Sequence, residues 1–182
     1  MYWILFVMAA VVAVALALVA GGLATPRDHV VARTTVLDAT PENVWTTIRD
    51  VARYAEWRHE LETADIVDTD QAQPRWRETT SRGSITFGVT TEDAPRRLVA
   101  RILDDDLPYT GEWCWQLEPG GNGTRVTITE RGSVGNPVFR FIGAHVLGHT
   151  KSIDRYLRGL AERHGTHDII IGDSNIRSLT TS

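Results

Sequence analysis

A chain of 182 residues with a formal net charge of −4 and a pI near 5.8 is the size of one ordinary domain plus a short extension, and it carries no electrostatic footprint for nucleic acid. Its single cysteine, Cys114, excludes an intrachain disulfide and a cysteine-based zinc site, so packing is the role expected of it. No Gly-rich phosphate loop, nucleophile elbow or cysteine–histidine signature occurs, and no cofactor is expected.

From Met1 to Ala24 there is no charged side chain, and Ile4 to Ala20 is almost wholly Leu, Val, Ala, Ile, Phe and Met. A helix of this length reaches roughly 30–36 Å, enough to cross the hydrocarbon core of a bilayer. Residues 1–25 are therefore predicted to form one transmembrane helix, a signal anchor making the protein single-pass. A cleavable signal would have a basic n-region and a shorter apolar core, although Gly22-Leu23-Ala24 does put small residues where a peptidase acts. Arg27 and Arg33 follow the span, so the positive-inside rule predicts a cytoplasmic domain.

The segment His29 to Ala39 mixes Val30, Val31, Val36 and Leu37 with Thr and Arg, the pattern of a half-buried strand. Thr40 as N-cap, Pro41 at the first helical position and Glu42 near the positive end predict a helix to about Asp50. Val44, Trp45 and Ile48 form its apolar face. A second short helix is predicted around Val51 to Trp57.

Beyond Leu61 the period changes to two. Strands are predicted at Leu61 to Asp70, Pro74 to Ser81, Ser84 to Thr91, Arg96 to Asp104, Gly111 to Glu118 and Thr124 to Val134, joined as antiparallel hairpins. Alternation places Trp76, Glu78, Phe87, Val89, Trp113, Trp115, Val126, Ile128 and Glu130 on one face. The other carries Arg97, Arg101, Glu112, Gln116, Arg125 and Arg131, a sheet with one wet side. Gly120-Gly121-Asn122-Gly123 is a strong hairpin signal, and a turn explains the sequon at Asn122 better than a glycan does.

Asn136-Pro137 opens a long helix predicted to end near Gly165. Its apolar stripe runs from Val138 through Phe141, His145, His149, Ile153, Tyr156 and Leu157 to Leu160 and must cover the sheet. Residues 167–182 are predicted to be a flexible tail.

The run Leu37 to Trp45, then Asp50, Tyr54 and Trp57, then Trp113-Cys114-Trp115-Gln116-Leu117-Glu118-Pro119 leading into Gly123-Thr124-Arg125-Val126-Thr127, resembles the SRPBCC proteins. These form the START-like, helix-grip superfamily, and the nearest branch is similar to the polyketide cyclase/dehydrase and lipid-transport group. The resemblance covers roughly His29 to Arg163 and assigns residues 26–166 to the domain. It implies an α+β fold with a curved antiparallel sheet of about seven strands around a long C-terminal helix. It also implies a deep, mostly apolar cavity for a hydrophobic small molecule or lipid. Many members carry a proline soon after the residue corresponding to Trp57, whereas this chain reads Arg58-His59-Glu60, so the loop at the cavity mouth is expected to differ in shape.

Candidate ligand-binding residues follow from the inward positions. Trp57, Trp76, Phe87, Trp113 and Trp115 offer flat apolar surface, although an aromatic stripe on a sheet serves equally well as plain core. Glu130, Phe141, His145 and His149 complete the set. A Glu–His pair in an apolar cavity binds a carbonyl or hydroxyl, or works as acid and base. The structural alternative for Glu130 is solvent, or a pairing with Arg82. His145 and His149 have the i, i+4 spacing of helical zinc sites but lack the intervening glutamate and a third ligand, so no metal is expected. The expected function is a membrane-tethered module binding a lipid or polyketide-like molecule, more a carrier than an enzyme. A cyclase or dehydratase in the same cavity is the alternative, and a surface for a protein partner a third.

Overall fold

Apolar residues at every second position give a sheet one face to bury, and residues 28–173 arrange themselves around that requirement. The computed structural model describes residues 2–68, 74–148 and 150–174. The helix α1 (Tyr2–Ala24) leads into β1 (Asp28–Leu37), followed by α2 (Pro41–Arg49) and a 3₁₀ segment (Val51–Glu56). Six strands come next: β2 (Thr63–Asp68), β3 (Arg75–Thr80), β4 (Gly83–Asp93), β5 (Arg97–Ile102), β6 (Tyr109–Gly120) and β7 (Gly123–Val134). Then come α3 (Pro137–Ile142), a π-helical turn (Gly143–Leu147), α4 (Lys151–Arg163) and β8 (Gly172–Asp173).

The strands form one antiparallel sheet in the order β2-β3-β4-β5-β6-β7-β1-β8. It has eight strands rather than about seven. The additional one is two residues long and pairs with Arg33 and Thr34 of β1. It belongs to the segment predicted as a loose tail, which is tied to the sheet as far as Ser174: Ile169 and Ile171 pack on the core, and the Thr35 hydroxyl donates to the Ile170 carbonyl (3.1 Å). Residues 175–182 lie outside the described residues.

Local signals act where the sequence places them. The Thr40 hydroxyl accepts from the Asn43 amide at the start of α2, and the Asn136 side chain accepts from Val138 and Phe139 at the start of α3. Val44 and Ile48 of α2 are fully buried, as are Ile153, Tyr156, Leu157 and Leu160 of α4.

The single long C-terminal helix is not formed. Residues 137–163 divide into α3, the π turn and α4, with the break at Gly148, whose φ of +72° is a left-handed conformation that ends a helix. The two halves of the apolar stripe consequently serve different surfaces, α4 covering the sheet while α3 meets α1.

The wet face of the sheet also departs from simple alternation. Val99, Cys114 and Thr129 are buried there. They form one cross-strand row between a row of Arg97, Gln116 and Thr127 and a row of Arg101, Glu112 and Arg131. Long side chains on both flanks shield a small row between them, which gives Cys114 the packing role expected of it.

Inside the grip, Tyr54, Trp57, Trp113, Trp115 and Tyr156 meet mostly edge to face, with centroids 5.1–6.3 Å apart. A cation sits among them. Arg58, 9% exposed, donates to Glu78 (2.7 Å) and Glu60 (3.1 Å) and lies 5.3 and 5.0 Å from the ring centroids of Tyr54 and Tyr156. The Trp76 indole donates to the same Glu78 oxygen (3.0 Å). Burial works against the charge on Arg58, but Glu78 above all offsets it and holds the guanidinium pKa above its ordinary value.

Removing one partner of such a pair leaves the other charge buried, so Arg58→Leu is expected to cost about 3–5 kcal/mol, measured as a fall in denaturation midpoint. Arg58→Leu combined with Glu78→Gln is expected to recover most of that loss. His164, which ends α4 and shares a 3.1 Å hydrogen bond with Thr47 of α2, has its pKa lowered by burial and then by Arg163. The unfolded chain then binds this proton at a higher pH than the folded chain does. Stability from His164 is complete above the ordinary histidine pKa of about 6.5 and is lost as pH falls through the lowered folded value. Thermal melts of wild type and His164→Gln across that range check it: the variant is expected to lose this part of the acid sensitivity.

Candidate functional site

β7 and α4 approach each other at the end of the grip where the C-terminal helix breaks, and the space between them is a cleft of about 730 Å³. Glu130 of β7 stands in its wall with Tyr109 of β6, Ser152 of α4 and the two glycines that flank the break, Gly143 and Gly148. Parity along β7 places Glu130 on the inner face with Val126 and Ile128. The opposite residues in the register are Val31 on β1 and Trp113 on β6.

Three neighbours fix this carboxylate. The Trp113 indole donates to Oε2 (2.8 Å), the Ser152 hydroxyl approaches the same oxygen (3.4 Å), and His29 Nε2 lies 3.2 Å from Oε1. The Glu130 side chain keeps 18% of its surface exposed. His29 reaches it from β1 across Gly132, where a Cβ would come within 2.4 Å of the imidazole. An ionised carboxylate offers about four acceptor positions, so with three neighbours engaged one remains for a group in the cleft. Tyr109, beside it, has a hydroxyl pKa raised by burial and then by Asp104.

The nine candidate residues fall into four places. Glu130 lines the cleft and Trp113 holds it. Trp57, Trp76 and Trp115 are buried in the core, with half-buried Phe87 stacked on Trp76 at 5.4 Å. Phe141 and His145 meet each other at 4.8 Å beside the end of α1, where His145 Nε2 is 3.4 Å from the Thr25 hydroxyl. His149 lies outside the described residues. No group of three or more His, Cys, Asp or Glu suited to a metal ion occurs among the described residues.

Sequence does not single out His29 and Ser152, and it marks Arg58 only as part of a loop at the cavity mouth. His29 shares strand parity with Val31, which was the available signal; Ser152 had none, because the helix boundary that aims it was misplaced. Arg58 of the Arg58-His59-Glu60 run turns inward and takes up interior space between the rings of Tyr54 and Tyr156. Two buried polar atoms in this interior lack a partner of good geometry among the described residues, Trp115 Nε1 and the Tyr156 hydroxyl. The neighbouring Tyr54 hydroxyl is committed to the Ile48 carbonyl (2.6 Å). Burial pushes the Tyr54 hydroxyl up to about 12 and that of Tyr156 well above its ordinary value, so both stay protonated donors.

Solved structures share this architecture. A protein from Thermus thermophilus superposes with a TM-score of 0.64 at 22% identity, covering 74% of this chain and 96% of that one. The Zhui aromatase/cyclase from Streptomyces sp. R1128 gives 0.61 at 15% identity over 76% of this chain and 94% of its own. A START superfamily protein from Mycobacterium smegmatis gives 0.59 at 16%, over 75% and 97%. These likenesses show the fold. A search of curated protein sequences finds no match. The model of the family described as polyketide cyclase/dehydrase and lipid transport matches residues 28–165, and the chain belongs to that family, within the SRPBCC/START superfamily.

Proposed function

We propose that the protein is a membrane-tethered binding protein for a hydrophobic small molecule, lipid or polyketide-like, with its domain on the cytoplasmic side. The observation that carries this reading is the cleft of about 730 Å³ beside Glu130. Small-molecule sites have volumes of this order, and what distinguishes this cleft from a second concavity of about 700 Å³ over Asp28, Arg101 and Glu112 is the inner-face carboxylate in its wall. A carboxylate with one acceptor position to spare, set near protonated tyrosines, supplies the few oriented polar contacts such sites use.

The tether is supported by two features of α1. It is long and apolar enough to cross a membrane, and its end is built into the domain. Arg140, 8% exposed, donates through Nη1 to the carbonyls of Gly22 and Thr25, both at 3.2 Å. Its other nitrogens hold Val134 and Gly135 (3.1 and 2.9 Å). The Gly22 carbonyl, in the last turn of α1, also accepts from the Thr25 amide (3.3 Å). Cleavage after Ala24 would remove the Gly22 acceptor and leave a buried guanidinium short of a partner. Arg27 and Arg33 after the span support the cytoplasmic orientation.

A second reading has its own observation. Glu130 in contact with His29 at a cleft wall is a carboxylate–imidazole pair able to move a proton, as a cyclase or dehydratase requires. Binding and catalysis differ in whether the guest leaves changed.

The full chain, purified in mild detergent and examined by native mass spectrometry, is expected to carry one hydrophobic molecule per protein. For a guest that donates a hydroxyl to the carboxylate, Glu130→Gln should weaken retention about tenfold, the worth of one charge-assisted hydrogen bond. An empty, folded chain that takes up no lipid or polyketide from a panel would overturn the reading, and chemical change of a bound guest would move it to the enzyme. For the tether, the mature protein is expected to keep its N-terminus and resist carbonate extraction. Arg140→Met should increase protease cleavage at residues 25–28 several-fold, whereas an N-terminus starting after residue 24 would refute the anchor.

A further inference from the structure

Charge around the cleft does not balance. Arg82, in the turn between β3 and β4, faces it from one side, and Lys151, Arg155 and Arg158 of α4 face it from another. The spacing of the last three, i, i+4 and i+7, keeps them along one side of the helix. None of the four has an ion-pair partner among the described residues. The cleft has two carboxylates, Glu130 and Asp154, and both are engaged, Glu130 by His29 and Trp113 and Asp154 by Arg33 at 2.7 Å. With Asp154 neutralised by Arg33, four cations face one carboxylate, Glu130, and the net positive charge around this concavity favours an anion there.

The same cleft adjoins the segment that meets the anchor. In α3, Pro137 and Phe141 lie against Gly22 and Gly21, where a Cβ would stand 1.9 Å from the Pro137 carbonyl oxygen and 2.8 Å from the Phe141 ring. The π turn that continues α3 then contributes Gly143 to the cleft wall. Phe139, between the two, is 53% exposed. α3 and the π turn thus connect the end of α1 to the cleft wall within a few residues.

Building on the binding function proposed above, we propose that Arg82, Lys151, Arg155 and Arg158 form a headgroup subsite, and that the guest is an anionic amphiphile, a carboxylate or phosphate on an alkyl chain. Guanidinium and ammonium groups bind such heads by charge-assisted hydrogen bonds. The chain of the guest would extend from this subsite past Gly143 toward α3 and the membrane surface.

The test uses the full chain in phosphatidylcholine nanodiscs, titrated with dodecyl phosphate, dodecanoate and dodecanol, with occupancy read by native mass spectrometry. Both anions are expected to bind one to one and at least about tenfold more tightly than dodecanol, a preference that shrinks with added salt. Replacing Arg82, Lys151, Arg155 and Arg158 together by Gln should bring the anions to the level of dodecanol and leave dodecanol unchanged. A control with Gln at Arg75, Arg77, Arg96 and Arg125, away from the cleft, should keep the preference. Equal binding of anions and alcohol by the wild type, or an undiminished preference in the four-site variant, would overturn the headgroup subsite while leaving the binding function intact. Failure of both anions to bind would likewise overturn the subsite, whereas the binding function falls only if the wider lipid and polyketide panel also fails. Phosphatidylglycerol added to the nanodiscs separates the sources: displacement of dodecyl phosphate marks a lipid headgroup as the guest, and no displacement marks a free single-chain anion, either result supporting the subsite.

Discussion

How much of a helix-grip fold stays open depends on what stands in the grip, and in this protein that is a guanidinium. Moving a cation out of water costs several kcal/mol even after relaxation, so Arg58 is tolerable inside only with its hydrogen bonds and counter-charge in place. Glu78 and Glu60 supply these, and the faces of Tyr54 and Tyr156 add attraction of the cation–π kind. The consequence is steric as well as electrostatic. Arg58 and the rings of Trp57, Trp115 and Tyr156 occupy the interior, and the concavity with Glu130 in its wall is left at one end of the sheet.

The break in the C-terminal helix completes that arrangement. An uninterrupted helix over residues 137–163 would be about 40 Å long and straight. It would carry Phe141 and Tyr156 on one continuous stripe, with no reason to turn aside. The left-handed Gly148 and the wider π turn before it let α3 leave the sheet and meet α1. A wall of the cleft is therefore made of backbone-rich positions, Gly143 and Gly148, and Ser152 in the first turn of α4 is aimed at Glu130. π-helical turns are often found where function needs such a local adjustment. The same departure from ideal helix thus opens the cleft and brings it next to α1.

The sequence makes the fold legible because its signals are local and redundant. Alternation from Trp76 to Glu130, the Thr40-Pro41 and Asn136-Pro137 caps and the Gly-rich β6–β7 turn each act within a few residues, and the structure follows them. The exceptions are long-range. Gly148 reads as an ordinary helix position until α3 has another surface to meet. The pairing of β8 with β1 is decided by Ile169 and Ile171 finding the core, which two apolar residues in a polar tail do not announce. The site is harder still. Glu130 is legible by parity, but His29 reaches it only through the β1–β7 register. Arg58 is charged and follows a tryptophan, so composition places it outside; only its partners on β3 and α4 bring it in.

Those partners also decide what the cleft is fitted to hold. A buried carboxylate without donors would be an obstacle to an apolar guest, and four cations without an anion would repel one another across the rim. Glu130 is satisfied from three sides, so it presents a fixed acceptor rather than a charge in search of a partner. Arg33 does the same for Asp154, tying it to β1 and taking it out of the balance at the cleft. The uncompensated charge then lies on side chains of α4 and the β3–β4 turn, where water solvates it while the cleft is empty and where its attraction strengthens once a guest displaces that water. A neutral hydrocarbon gains nothing from this arrangement. A molecule with a negative head gains at these cations, and one that also has an apolar chain is the kind of molecule found in quantity at the surface to which α1 would hold the domain.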